Sequence, residues 1–180
     1  LLPGDATAAC ERQKVRAIVE YFSRDFRAAV AASEKAVAMA RDLGLSYEIM
    51  ANLHNVGDAL LRVDDYARAY GVLQQSLALC EELGFERHAV LNRTFLAYLD
   101  AAAGNDEAER ALRRGIHYAE ANDFLWDTLG GRSLLALLLQ RRGDRTAARV
   151  EYERAKELAE RSSNRLMLDD CQEALRALAS

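Results

Sequence analysis

Proline is almost absent: one in 180 residues, Pro3. A proline inside a helix costs about 3 kcal/mol or more, so nothing after residue 3 interrupts a helix by that route. No Ser/Gly/Pro-rich stretch divides the chain, and no run of four β-branched residues favours a strand. The three cysteines, Cys10, Cys80 and Cys171, are odd in number and far apart. They form no C-x-x-C pair, and His54, His88 and His117 lie near none of them. That spacing excludes a disulfide framework and a conventional zinc site, and it points to a reducing, cytoplasmic setting. No apolar run reaches the 18 residues that a membrane-spanning helix needs. The first residues, Leu1-Leu2-Pro3-Gly4-Asp5, lack the basic region of a signal peptide and do not begin with Met, as expected of a segment of a larger protein.

Basic charge is also short. Net charge is −4, and the densest basic cluster, Arg141, Arg142, Arg145 and Arg149, is broken by Asp144 and Glu151. Nucleic-acid binding usually needs a basic stripe, which argues against nucleic acid as a direct partner. What the chain has instead is Ala, Leu, Glu and Arg, which are good helix formers. The expected fold class is all-α.

The organising feature is a period. Leu43-Gly44-Leu45 returns 40 residues later as Leu83-Gly84-Phe85, and Asp25-Phe26 returns as Asp65-Tyr66. Three columns of small residues keep step: Ala29, Ala69, Ala108, Ala148; Ala36, Ser76, Gly115, Ala155; and Ala40, Cys80, Ala119, Ala159. A period of 20–50 residues marks a repeat array. Each repeat reads as helix, tight turn, helix. First helices are predicted near 8–23, 46–63, 86–103 and 126–142, and second helices near 26–43, 66–83, 105–122 and 145–162. A last helix over 164–179 closes the array. Gly44 and Gly84 suit a left-handed helix end; Asp64-Asp65 and Ser46 suit helix caps. Gly104-Asn105 marks a shorter turn. The columns assign Cys80 to packing. Gly130-Gly131 has no preceding strand and no following Gly-Lys-Ser/Thr, so it reads as close packing or a kink, not a phosphate loop.

Gly57-x-x-Leu60, Asp65-Tyr66 and Ala69-x-x-x-Leu73-x-x-Ser76 resemble the tetratricopeptide (TPR) pattern, and Gly143-Asp144 with Ala148-x-x-x-Tyr152-x-x-Ala155 matches it again. The 40-residue unit is similar to the repeats of kinesin light chains and of bacterial signalling and transcription regulators. The resemblance implies an α-α superhelix. One TPR-repeat domain covers 1–180, with repeats at about 8–45, 46–85, 86–124 and 125–163 and a capping helix at 164–179. It further implies that first helices line a concave binding groove.

Candidate functional residues are therefore polar or aromatic groups on first helices that packing does not need. His54, Asp58 and Arg62 step by four along one helix. Asn55 precedes Val56-Gly57, where an asparagine in similar repeats bonds a peptide backbone; one amide offers both donor and acceptor. The same stripe elsewhere gives Lys14 and Tyr21, Thr94 and Tyr98, and Ser133 and Leu137. The plain alternative is a solvated helix face. Trp126, the only tryptophan, is expected to be buried in the seam between the third and fourth repeats rather than to anchor a partner. No catalytic motif is present, and no cofactor is implied. The expectation is a non-catalytic protein- or peptide-binding scaffold, the docking or sensor module of a larger bacterial regulator. The alternatives are a small-molecule sensor with a pocket around His54, Tyr98 and Trp126, or a self-association module through exposed Leu1-Leu2 and Leu166 or Leu168 at its ends.

Overall fold

A computed structural model describes Pro3–Ala179, with side chains from Asp5 onward. Leu1 and Leu2 lie outside the described residues. Helices account for all the regular structure among them: α1 Pro3–Phe22, α2 Phe26–Asp42, α3 Ser46–Leu61, α4 Tyr66–Leu83, α5 Glu86–Ala102, α6 Asp106–Ala121, α7 Leu125–Arg141, α8 Arg145–Arg161 and α9 Arg165–Ala179. The chain has an all-α helical-repeat fold.

All eight junctions between these helices use one backbone device. A residue with positive φ stands at positions 24, 64, 104 and 143 within the repeats and at 44, 84, 123 and 163 between them. The next residue's N–H reaches back five residues: Asp25 to Glu20 O, Leu45 to Ala40 O, Phe85 to Cys80 O, Asp144 to Leu139 O, and so on. This is the Schellman ending, which satisfies carbonyls that the helix leaves unpaired. Gly44 (φ 67°) and Gly84 (φ 73°) hold the conformation predicted for them. Inside the repeats the following residue caps the second helix. Asp25 accepts from Ala28 N, Asp65 from Arg68 N and Asp144 from Ala147 N. Between repeats that place is mostly apolar, Leu45, Phe85 and Phe124. Ser46 is the first helical residue of α3; the cap position is Leu45, with no side-chain bond, which corrects the expectation for Ser46.

The shorter turn of the third repeat has a defined location. In three repeats the column alanine bonds the cap residue four back: Ala29 to Asp25, Ala69 to Asp65, Ala148 to Asp144. Ala108 bonds Asn105, three back, and Asn105 caps Glu107 rather than a residue one further on. The first turn of α6 is wound one residue tighter, which produces the single 39-residue step.

Two compact bodies make up the chain, Leu1–Asn92 and Arg93–Ser180, and α5 contributes residues to both. In the first, α1, α2, α3 and α4 pack in sequence order; in the second, α6, α7, α8 and α9 do. The small-residue columns form the buried stripe of each second helix: Ala36, Ala40, Ala69, Cys80, Ala148, Ala155 and Ala159 are essentially inaccessible. Small side chains let helix backbones approach. A Cβ on Gly57 would lie 2.6 Å from Leu73, and one on Gly131 would lie 2.7 Å from Ile116, so both glycines mark close helix contact. The predicted inner face of α9 packs against Tyr152, Ala155 and Ala159 through Met167, Leu168, Leu175 and Leu178, with Cys171 buried. Leu166, expected at the surface, is also buried, two residues after Asn164, whose Oδ1 accepts from Met167 N.

Candidate functional site

The first helices place the predicted stripe in two settings. In the first body, α3 carries His54, Asn55 and Asp58, with Arg62 at its C-terminal cap, and three of the four are held by neighbours. His54 Nδ1 lies 3.0 Å from Asn92 Oδ1. The direction of that bond follows from the rest of the amide. Asn92 Nδ2 donates to His88 O at 2.9 Å and to Ser76 Oγ at 3.0 Å, with Cys80 Sγ at 3.4 Å. Its Oδ1 is therefore the acceptor, and His54 carries a proton on Nδ1. Ser76 Oγ passes the chain on to Met50 O at 2.9 Å. A buried polar relay thus fixes the His54 ring and joins α3, α4 and α5.

Asp58 and Arg62 face α1. Burial pushes the Tyr21 phenol well above the ordinary tyrosine value; Asp58, hydrogen-bonded to it, adds to the rise, and Arg62 opposes it. The Arg62 guanidinium lies over the Tyr21 ring at 5.8 Å and the Phe26 ring at 5.0 Å. Lys14 binds Glu48 at 2.9 Å and approaches Glu11 at 3.6 Å. Burial alone would lower the Lys14 ammonium, but the Glu48 bond and charge outweigh it and raise its pKa. These side chains tie α1 to α3. Asn55 differs: it is half-buried, and its amide has no hydrogen-bond partner among the described residues.

In the second body the stripe lies deeper. Thr94 is 4% exposed and Tyr98 1%, so both are core residues and present no surface to a ligand. Ser133 and Leu137 on α7 are half-buried, and Ser133 Oγ is enclosed without a partner among the described residues. Trp126 is 51% exposed at the start of α7, which corrects the expectation that it is buried. The large surface reported for tryptophan is here turned outward by the first turn of a helix, before the packing face begins. The basic cluster of the sequence is engaged in contacts between helices and within one. Arg142 binds Asp106, Glu109 and Ala101 O, and Arg149 binds Glu153.

Sequence reading missed two features. Asn52 and Asn92 are 40 residues apart, both essentially fully buried, and each donates to a carbonyl one turn earlier, Glu48 O and His88 O. The repeat period itself was the available signal. Asn92 completes its amide through His54, whereas Asn52 Oδ1 is buried with no partner among the described residues. The second feature is the set of exposed apolar groups on α1: Val15, Ile18, Val19 and Phe22. All three cysteines are buried and none is in a disulfide, and burial pushes the Cys10 and Cys80 thiols up, as expected of packing residues. Among the described residues no group of three or more His, Cys, Asp or Glu could hold a metal ion, and no helix is long and apolar enough to cross a membrane.

Helix pairs of about 40 residues, Schellman endings at every junction and buried small-residue columns define a TPR-like helical-repeat protein. Comparison with solved structures gives the same class. The chain is similar to BtubC (BKLC) from P. vanneervenii, with TM-score 0.63 and 19% identity over 98% of this chain and 74% of that one. It is similar to the apo form of RapI, with TM-score 0.62 and 14% identity over 86% and 57%. It is also similar to the TPR-like repeats of a kinesin light chain from Podosopora anserina, with TM-score 0.54 and 16% identity over 98% and 96%. A Rap protein complexed with competence and sporulation factor matches with TM-score 0.52 and 23% identity over 87% and 48%. The chain spans about half the length of the two Rap structures. No protein-family model matches the sequence, and no curated protein matches it.

Proposed function

We propose that this chain is a non-catalytic binding module that receives a protein or peptide segment along α3, and that it serves as the docking or sensor part of a larger bacterial regulatory protein. The observation that carries the reading is Asn55. It is a half-buried amide with no partner among the described residues, beside a histidine whose ring is fixed from behind by Asn92. Such an amide matches the donor and acceptor of one peptide unit. A Rap neighbour bound to competence and sporulation factor supports a peptide ligand by analogy of fold. His54 stands next to this amide, and Asp58 and Arg62 shape the wall through their hold on α1. Ser133 and Leu137 are the corresponding contacts proposed for the second body. The test is selection of a random peptide library on the wild-type protein, followed by Kd measurement on Asn55→Ala. Loss of one ligand hydrogen bond, about 0.5–1.5 kcal/mol, predicts a roughly two- to tenfold weaker Kd. Selected peptides that bind the variant equally well remove α3 from the site.

A second reading, self-association, is favoured by the α1 surface. Val15, Ile18, Val19 and Phe22 recur at i, i+3, i+4 and i+7 and are 43–57% exposed. That spacing makes one continuous apolar stripe, the form in which helices pair.

A further inference from the structure

Three aromatic side chains meet at one edge of the first body. Tyr47 opens α3, Phe85 occupies the position before α5, and His88 lies in the first turn of α5. Their ring centroids are 5.4 Å (Tyr47–Phe85), 5.8 Å (Tyr47–His88) and 6.0 Å (Phe85–His88) apart. The interplanar angles are 68°, 86° and 78°, so the three rings meet edge to face and none of these pairs is stacked. Tyr47 is 45% exposed and Phe85 36%. Three rings at near right angles form a corner, and the face of an aromatic ring carries the negative part of its quadrupole.

The balance of charge in the chain beside Phe85 is negative. Glu81 and Glu82 stand in the last turn of α4, just before Gly84-Phe85, and Glu86 follows; all three are exposed. The last turn of α4 holds no basic residue. The negative end of the helix dipole is therefore reinforced by two carboxylates. Arg87 is the single cation between residues 81 and 87. The register recurs in the second body. Trp126 stands two residues after the Phe124 cap, as Tyr47 stands two after Leu45, and an acid follows each, Asp127 and Glu48.

We propose that the Tyr47–Phe85–His88 corner is a docking site for a cationic side chain, arginine or lysine, of a partner polypeptide. The ring faces and the acidic end of α4 attract the same charge, and an exposed aromatic surface takes a guanidinium at little desolvation cost. None of the three rings belongs to the Asn55 stripe, so this site stands or falls separately from the α3 reading.

The probe is the peptide acetyl-Gly-Arg-Gly-Arg-amide, with a citrulline version as its neutral isostere. Both are titrated into the whole chain while the aromatic carbon–proton NMR signals are followed. The arginine peptide is expected to shift the Tyr47 and Phe85 ring signals in a saturable way, and the citrulline peptide to leave them in place. Tyr47→Leu keeps the apolar bulk and every charge but removes the ring. It should weaken arginine-peptide binding about two- to fivefold, the usual scale of an exposed cation–π contact. Equal shifts with citrulline would show a merely apolar surface. Unchanged affinity in Tyr47→Leu would show attraction by the net negative charge alone. Either result overturns the proposal, while Asn55→Ala should not affect it.

Discussion

Gly115 offers the sharpest test of the packing argument, because the structure reverses the usual effect of its replacement. Glycine to alanine inside a helix normally stabilises by about 1 kcal/mol, through lower chain entropy in the unfolded state. Gly115 lies inside α6, in the small-residue column shared with Ala36, Ser76 and Ala155. An added Cβ would stand 1.9 Å from Thr94 Oγ1, 3.0 Å from its Cβ and 3.2 Å from its Cγ2. Thr94 is buried, so its side chain has little room to withdraw. Overpacking of this kind costs about 1–3 kcal/mol, occasionally more. At the upper end, set against a gain of about 1, Gly115→Ala should destabilise by about 1–2 kcal/mol. For a chain of this size that lowers Tm by roughly 2–8 °C. Gly71 is the control: it lies inside α4, and an added Cβ would meet nothing within 4 Å. Gly71→Ala should raise Tm by about 2–4 °C. Differential scanning calorimetry reads both. A Gly115→Ala protein as stable as wild type, or more so, would refute the reasoning. The cause is isolated by Thr94→Ala, alone and with Gly115→Ala. Removing Oγ1 and Cγ2 should give a favourable coupling of about 1 kcal/mol or more between the two changes.

Two further outcomes follow from other parts of the molecule. Burial pushes the Tyr152 phenol up to about 12, and its hydroxyl donates to Gln140 Oε1 at 2.9 Å. The unfolded chain then loses this proton near pH 10 while the folded chain keeps it, so stability present below pH 10 is lost as pH rises toward 12. The loss should be of order 2 kcal/mol, and urea unfolding of Tyr152→Phe across that range should show a correspondingly shallower decline. If the α1 stripe pairs two copies, light scattering over a concentration series should show a dimer that Val19→Glu abolishes; a strict monomer for the wild type at all concentrations excludes that pairing.

Much of this architecture was readable from the chain alone, because its determinants are local. Gly44, Gly84, Asp25, Asp65 and Asp144 act within a few residues of themselves, and their chemistry is the same wherever the helix points. The columns Ala29/Ala69/Ala108/Ala148 and Ala40/Cys80/Ala119/Ala159 were visible for a related reason: a repeated environment selects a repeated size. Even the tightened turn before Ala108 left a one-residue defect in the period.

The candidate site was legible only in outline. Sequence placed His54, Asn55, Asp58 and Arg62 on one helix, but not what stands opposite each of them. Asn92 orients His54, and Tyr21 and Phe26 receive Arg62, through contacts 36 to 41 residues away in the chain. Thr94 and Tyr98 share the register of His54 and Asp58 yet lie in a core, and Trp126 faces out where its size argued for burial. The sequence by itself determined the period, the turns and the helix boundaries apart from the start of α1, which lies at Pro3 rather than near residue 8, since these depend on backbone conformation and side-chain size within one repeat. Only the tertiary structure decided which polar side chains are spent on holding helices together and which, like Asn55, keep no partner among the described residues. That choice depends on the neighbour each side chain meets, and a hydrogen bond or ring contact forms only at distances that packing sets.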